Sequence, residues 1–126
     1  MNVDERLKAL GRRVAEELLE KLSEARAVVV ATEDGFELAF ATREELEAAR
    51  IAAMTSSIAA ICDSVSREAG LGHTKSFVVE ASDGFMVMRG VQNGQVRLVL
   101  STLTRNGALL GMVMNAVGES ARALSA

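Results

Sequence analysis

Residues 51–62, I-A-A-M-T-S-S-I-A-A-I-C, hold no charged side chain and sit within a stretch of helical spacing. Ile51, Met54, Ile58, Ile61 and Val65 recur at intervals of three and four, the seam of a heptad. Ala49, Ala53, Ser56 and Ala60 make a second stripe at similar intervals. The two stripes are offset by two residues, or about 200° around a helix. One side is therefore apolar and the nearly opposite side is small. A helix with so little polarity is covered on both sides. If the apolar stripe packs on a sheet, the small stripe still needs a neighbour, and small residues permit close approach of a second helix. The other helices of the chain could supply it. It is more economical for them to cover the opposite sheet face while this helix meets its own copy across a two-fold axis. The pattern predicts a homodimer.

The flanking segments have their own periods. Leu7, Leu10, Val14, Leu18 and Leu22 form one stripe of a helix over residues 4–23, with Asn2 or Asp4 as its cap. Residues 26–32 are short and β-branched, a strand, and residues 36–41 return beside it. Thr42-Arg43-Glu44-Glu45 fits a capping box ahead of the long helix, which Gly70 ends. Residues 76–81, 85–91 and 95–103 are three further strands, with Asn93-Gly94 as a hairpin signal. A last helix spans residues 108–124 with Leu110, Val113, Val117, Ala121 and Leu124 in register. The chain has no proline and no linker-like stretch. One α/β (α+β) domain over residues 1–126 is expected, with a largely antiparallel sheet and element order αββαβββα.

V-V-V-A-T-E-D-G-F (28–36) repeats as F-V-V-E-A-S-D-G-F (77–85). Each Asp-Gly lies between two strand-like runs, so the repeat reads as one turn type used twice. Gly accepts positive φ and Asp bonds the turn backbone. Phe36 and Phe85 then open the outgoing strands and point inward.

Little in the chain supports chemistry. A net charge of −3 with no Trp or Tyr argues against nucleic acid. Cys62 is the single cysteine and lies mid-helix among Ile58, Ile61 and Val65, as a small hydrophobe does. His73, the single histidine, falls in a glycine-rich loop. Together they build neither a zinc site nor a nucleophile–base pair. Gly70 to Ser76 imitates a phosphate loop, but Thr74 stands where glycine must precede Lys75, and the order is helix then strand. Asp34 and Asp83 are turn residues, and no carboxylate pair occupies an apolar pocket. The reading is a protein without catalytic residues, cofactor or metal. With no apolar run of about 18 residues, no membrane span is expected. The lone cysteine and the acidic, signal-free start point to the cytoplasm.

Two further surfaces stand out. Phe77, Val78 and Val79 open a three-strand meander and so lie at a sheet edge, which invites pairing with a second edge. The segment Ala108–Gly118 carries no charge. Met112 and Met114 cannot both point inward from it, so part of this helix is a candidate docking patch for a partner.

The stretches V-V-V-A-T-E-D-G-F-E-L-A, A-A-R-I-A-A-M-T-S-S-I-A-A-I-C-D-S-V, G-L-G, F-V-V-E-A-S-D-G-F-M-V-M and L-V-L-S-T-L-T-R-N-G-A-L-L-G succeed one another from about Ala25 to Leu124. Their order, rather than any one of them, resembles the roadblock family, the dynein-light-chain-type regulatory domains also found in bacteria. The resemblance implies a profilin-like three-layer fold, strand order 2-1-5-4-3 and helices on both faces. It implies homodimers in which the middle helices pack together and the third strands join. It implies action on, or scaffolding of, a Ras-like small GTPase, with no catalytic motif. The expected dimer interface is therefore Ala49, Ile51, Ala53, Met54, Ser56, Ile58, Ala60, Ile61, Val65, Phe77, Val78 and Val79. The alternatives are a sensor module that binds a small ligand on its sheet, or a structural subunit of a signalling or transport assembly.

Overall fold

Strand β1 (Ala25–Thr32) is buried almost throughout, which explains its continuous Ala/Val run: it is covered on both faces. In the computed structural model, which describes residues 3–126 with side chains from Glu5 onward, the other elements are α1 (Val3–Lys21), β2 (Glu37–Thr42), α2 (Ala48–Glu68), β3 (Ser76–Ala81), β4 (Gly84–Asn93), β5 (Val96–Arg105) and α3 (Leu110–Leu124). The five strands form one antiparallel sheet in the order β2-β1-β5-β4-β3. The expected element order and strand order are both present.

Alternation along the strands splits the core into two layers. Val28, Val30, Val87, Leu98 and Leu100 meet Leu7, Val14 and Leu18 of α1 and Val113, Val117 and Leu124 of α3. Val29, Ala31, Met88 and Val99 face the other way, toward Ala48 and Ala52 of α2. Two helices thus cover one face and one helix covers the other. Burial of these side chains supplies the main stabilisation, at about 25 cal/mol per Å² of apolar surface.

Several local expectations change. The cap proposed at Asn2 or Asp4 lies outside the described residues and side chains. The capping box at Thr42 does not form. α2 begins six residues later, at Ala48, and its N-cap residue Glu47 makes no side-chain cap bond. Charge-assisted bonds claim the intervening residues instead. Glu44 accepts from Arg26 Nε at 2.8 Å and from Arg105 Nη2 at 2.7 Å. Arg43 donates to the carbonyls of Leu19 and Leu22 at the end of α1, at 2.6 and 2.9 Å.

The two Asp-Gly turns are different devices. After β1, residues 33–36 form a loop closed by Thr32 N–H donating to Phe36 O at 2.8 Å. After β3, Ala81 pairs directly with Gly84, so Ser82-Asp83 alone turn the chain and Gly84 belongs to β4. Phe85 packs against the α1/α3 core as expected. Phe36 does not: it is 70% exposed. The pairing steps from Val30↔Ala39 to Ala31↔Glu37, so Leu38 is an extra, bulged residue of β2, and Phe36 lies ahead of that strand, in the loop.

The end of α2 matches expectation. Gly70 adopts φ 74°, Leu71 N–H reaches Ser66 O at 2.7 Å, and Gly70 N–H reaches Arg67 O at 3.1 Å, which together make a Schellman stop. α3 starts at Leu110 rather than Ala108. Contrary to the reading from run length, α2 is long and apolar enough to cross a membrane by length and composition alone. In this fold it lies across the sheet, seated on β1.

Candidate functional site: an uncovered helix flank beside a free sheet edge

α2 meets the sheet through Ala48, Ala52 and Thr55, all buried, with Ala59 partly so. This seat is neither of the two stripes read from the sequence; it lies between them. Small residues here let the helix sit close to β1. Thr55 turns its hydroxyl onto the Ala52 carbonyl at 3.2 Å, which satisfies the buried oxygen within the helix.

The two stripes therefore become the two flanks of the helix. On the first, Ile51 and Ile58 dip into the layer containing Met88, Met86 and Phe77. Met54, Ile61 and Val65 of the same flank stay exposed, at 49%, 64% and 60%. The second flank points toward the β1–β2 loop. Ser56 is buried there and donates to the Thr32 carbonyl at 2.8 Å. A Cβ on Gly35 would lie 3.5 Å from Ala53 Cα. Ala49, Ala53 and Ala60 on this flank are exposed.

β3 borders the first flank. It pairs with β4 only, so its outer edge is free among the described residues. α2 packs chiefly on β1 and less on β2, β5 and β4. Phe77 and Val79 stand opposite Met88 and Met86, and so face the α2 side of the sheet. Val78 stands opposite Val87 and faces the α1/α3 side. The structure thus brings Ile51, Met54, Ile58, Ile61, Val65, Phe77 and Val79 to one side. Ala49, Ala53, Ser56 and Ala60 lie on the other.

A second apolar surface opens at the start of α3. Leu109 and Met112 are 65% and 64% exposed, with Leu110 and Met114 less so. A groove of about 370 Å³ joins this surface to β3 through Val78, Phe85 and Leu110. Sequence reading found Met112 and Met114 but missed Leu109 and Leu110. Their signal was the break at Asn106-Gly107, just ahead of the helix. Phe36 and Phe40 were missed as surface residues too.

Cys62 is a half-buried free thiol and His73 is exposed. Among the described residues no three His, Cys, Asp or Glu side chains cluster as a metal site would need. Glu44 is held below the usual carboxylate range, first by its hydrogen bond from Arg26, with Coulombic support from Arg26 and Arg105 against a desolvation cost. It clasps β1 and β5 to the loop after β2, beside an open depression of about 760 Å³ lined by residues 42–47.

The Roadblock/LC7 domain profile matches residues 14–101. The chain belongs to the Roadblock/LC7 domain family. Solved structures agree with this at the level of fold. The gliding protein MglB of Thermus thermophilus superposes with a TM-score of 0.81 at 17% identity, over 99% of this chain and 90% of that one. MglB of Myxococcus xanthus gives 0.78 at 17%, over 99% and 89%. Profilin II of Acanthamoeba castellanii gives 0.65 at 11%, over 90% and 95%, so the layered sheet is profilin-like. Among curated proteins none matches. In this Roadblock/LC7 domain the exposed α2 flank and the free β3 edge are adjacent surfaces of one regulatory fold.

Proposed function

We propose that this Roadblock/LC7 domain is a homodimeric regulator or adaptor that acts on, or scaffolds, a Ras-like small GTPase. The family match supports the coarser part, a regulator of a small GTPase. Likeness in fold to MglB from two organisms is consistent with it. The observation that carries the dimer is the adjacency of two uncovered features: the free edge of β3 and the flank Met54–Ile61–Val65, more than half of it open to solvent at Ile61 and Val65.

A two-fold axis beside β3 would let the two β3 edges pair and the two sheets run on as one. It would also bring the two α2 flanks together over Phe77 and Val79. Each exposed side chain at such an isologous interface is covered twice. In this reading residues 1–126 act as one domain in the cytoplasm, and the α3 surface around Met112 and Met114 docks the partner. Any stimulation of GTP hydrolysis is exerted on the GTPase's own chemistry, since no nucleophile–base pair forms among the described residues.

The test is direct. Ras-like GTPases of the host, loaded with GDP or a non-hydrolysable GTP analogue, are titrated against the purified domain, and single-turnover hydrolysis is followed with and without it. Saturable binding of one GTPase, or accelerated hydrolysis, is expected. No binding to any of them in either nucleotide state removes the GTPase from the account.

A further inference from the structure

β2 is the sheet's other outer strand, remote from β3. Its inner edge pairs with β1, and among the described residues no hydrogen bond reaches the outward backbone groups of Leu38 to Ala41. Proteins usually blunt such an edge with proline, charge or a covering loop. Here the strand reads E-L-A-F-A-T, without proline or lysine, and Phe40 is 45% exposed on it. A groove of about 560 Å³ runs along this edge. It is lined by Glu37 to Phe40 of β2 on one side and by Lys8, Arg12, Arg13 and Glu16 of α1 on the other. All three basic side chains are exposed, and none is ion-paired among the described residues.

We infer that the β2 edge is a strand-addition site for an extended partner segment that alternates acidic and apolar residues. Two features select that occupant. The first is spacing. Lys8 and Arg12 are four residues apart on a helix, or about 6 Å along its axis. Alternate residues of an added strand are about 6.6 Å apart and point to the same face. Carboxylates at positions i and i+2 of the added strand therefore meet Lys8 and Arg12 in turn, while the intervening side chains face the α2 side next to Phe40. Phe40 stands opposite Val29, whose side chain is in the α2-side layer. The second feature is charge. On a chain of net charge −3 the groove's three basic residues outnumber its two acidic ones, Glu16 and Glu37, which is a local reversal. A second copy of β2 fits poorly. It would set one basic row of α1 against another, and its own sequence lacks acidic residues at alternate positions. Backbone bonds would give affinity, and the alternating side chains selectivity. The site does not depend on the dimer or on the GTPase, and a joint at β3 leaves it open at each end of the assembly.

The test uses the full chain, isotope-labelled for NMR, and three synthetic eight-residue peptides. The first alternates Glu and Val. The second replaces each Glu with Lys. The third keeps the Glu/Val sequence but is N-methylated at alternate backbone positions, so it cannot complete the ladder. Saturable shifts in residues 37–42 and at Lys8 and Arg12 are expected with the first peptide, and at least tenfold weaker binding with the other two. Lys8→Glu/Arg12→Glu, at exposed positions, should keep the native spectrum and lose at least tenfold in affinity for the first peptide. Shifts centred on β3 or α3, equal binding of the N-methylated peptide, unchanged affinity in the double variant, self-association through β2 in place of peptide binding, or no binding at all would each overturn the inference.

Discussion

Gly84 packs its α-carbon against the carbonyl oxygen of Thr104, so a Cβ at that position would overlap backbone of the neighbouring strand. Gly35 has no such neighbour; a Cβ there would lie 3.5 Å from Ala53 Cα, at ordinary contact distance. The two Asp-Gly pairs therefore constrain the fold by different means. Gly35 is needed for its φ of 94° alone, whereas Gly84 is needed for both its φ of 154° and its lack of a side chain.

Substitution should separate them. Gly35→Ala is expected to cost about 1 kcal/mol, the strain of an L-residue at positive φ. Gly84→Ala should cost about 3 kcal/mol, because backbone must also shift to admit the methyl group. Urea unfolding of both variants checks this. Equal losses would show that the Thr104 contact is relieved without strain.

Glu44 gives a pH prediction. Its folded pKa is lowered from 4.5, chiefly by the Arg26 hydrogen bond. A depressed carboxylate stabilises the fold fully above its unfolded pKa, and that stabilisation is lost as pH falls through the lowered folded value. Glu44→Gln should therefore melt below wild type at neutral pH, and the gap should close on acidification below 4.5. Thermal melts across that range decide the matter. A gap that is absent at neutral pH, or that widens in acid, contradicts the clasp.

Neither Cys62 nor His73 should matter to assembly. Cys62→Ala removes a half-buried sulfur and should cost about 1 kcal/mol. His73→Ala, on an exposed loop, should leave the melting temperature unchanged. Size-exclusion elution at wild-type volume for both is the expected result. A shift to a different oligomer in a folded His73→Ala protein would give that loop a role it lacks here.

Much of this was legible in the sequence because local and global signals agreed. The β-branched run of β1, the stop at Gly70 and the free edge at Phe77–Val79 each read the same way at both levels. The misreadings came where a longer-range bond overrode a local one. Thr42 looked like a cap, but Arg26 and Arg105, distant in sequence, draw Glu44 away. Phe36 looked inward because it read as the first residue of β2, but that strand starts at Glu37 and Phe36 stays in the loop. On α2, periodicity found both stripes but took the larger side chains for the sheet-facing ones. The seat is Ala48, Ala52 and Thr55, because close approach to β1 favours small residues there and leaves the larger ones at the flank.

That geometry sorts three single substitutions on α2. Ala52 is fully buried on the sheet, so Ala52→Glu should unfold the protein, as burying an unpaired charge costs several kcal/mol. Ala53 is exposed on the flank away from β3, and Ala53→Glu should leave fold and dimer intact. Ile61 is exposed on the flank beside β3. Ile61→Glu should keep the circular dichroism of the folded chain while dissociating the dimer. A dimer that survives Ile61→Glu but not Ala53→Glu would place the axis on the opposite flank.

The central claim is that two copies cover the flank of α2 and the edge of β3. Sedimentation velocity of the wild-type chain at micromolar concentration tests it most directly. The account predicts a single species of twice the chain mass, with a melting temperature that rises with protein concentration. A homogeneous monomer with a concentration-independent melting temperature would contradict it.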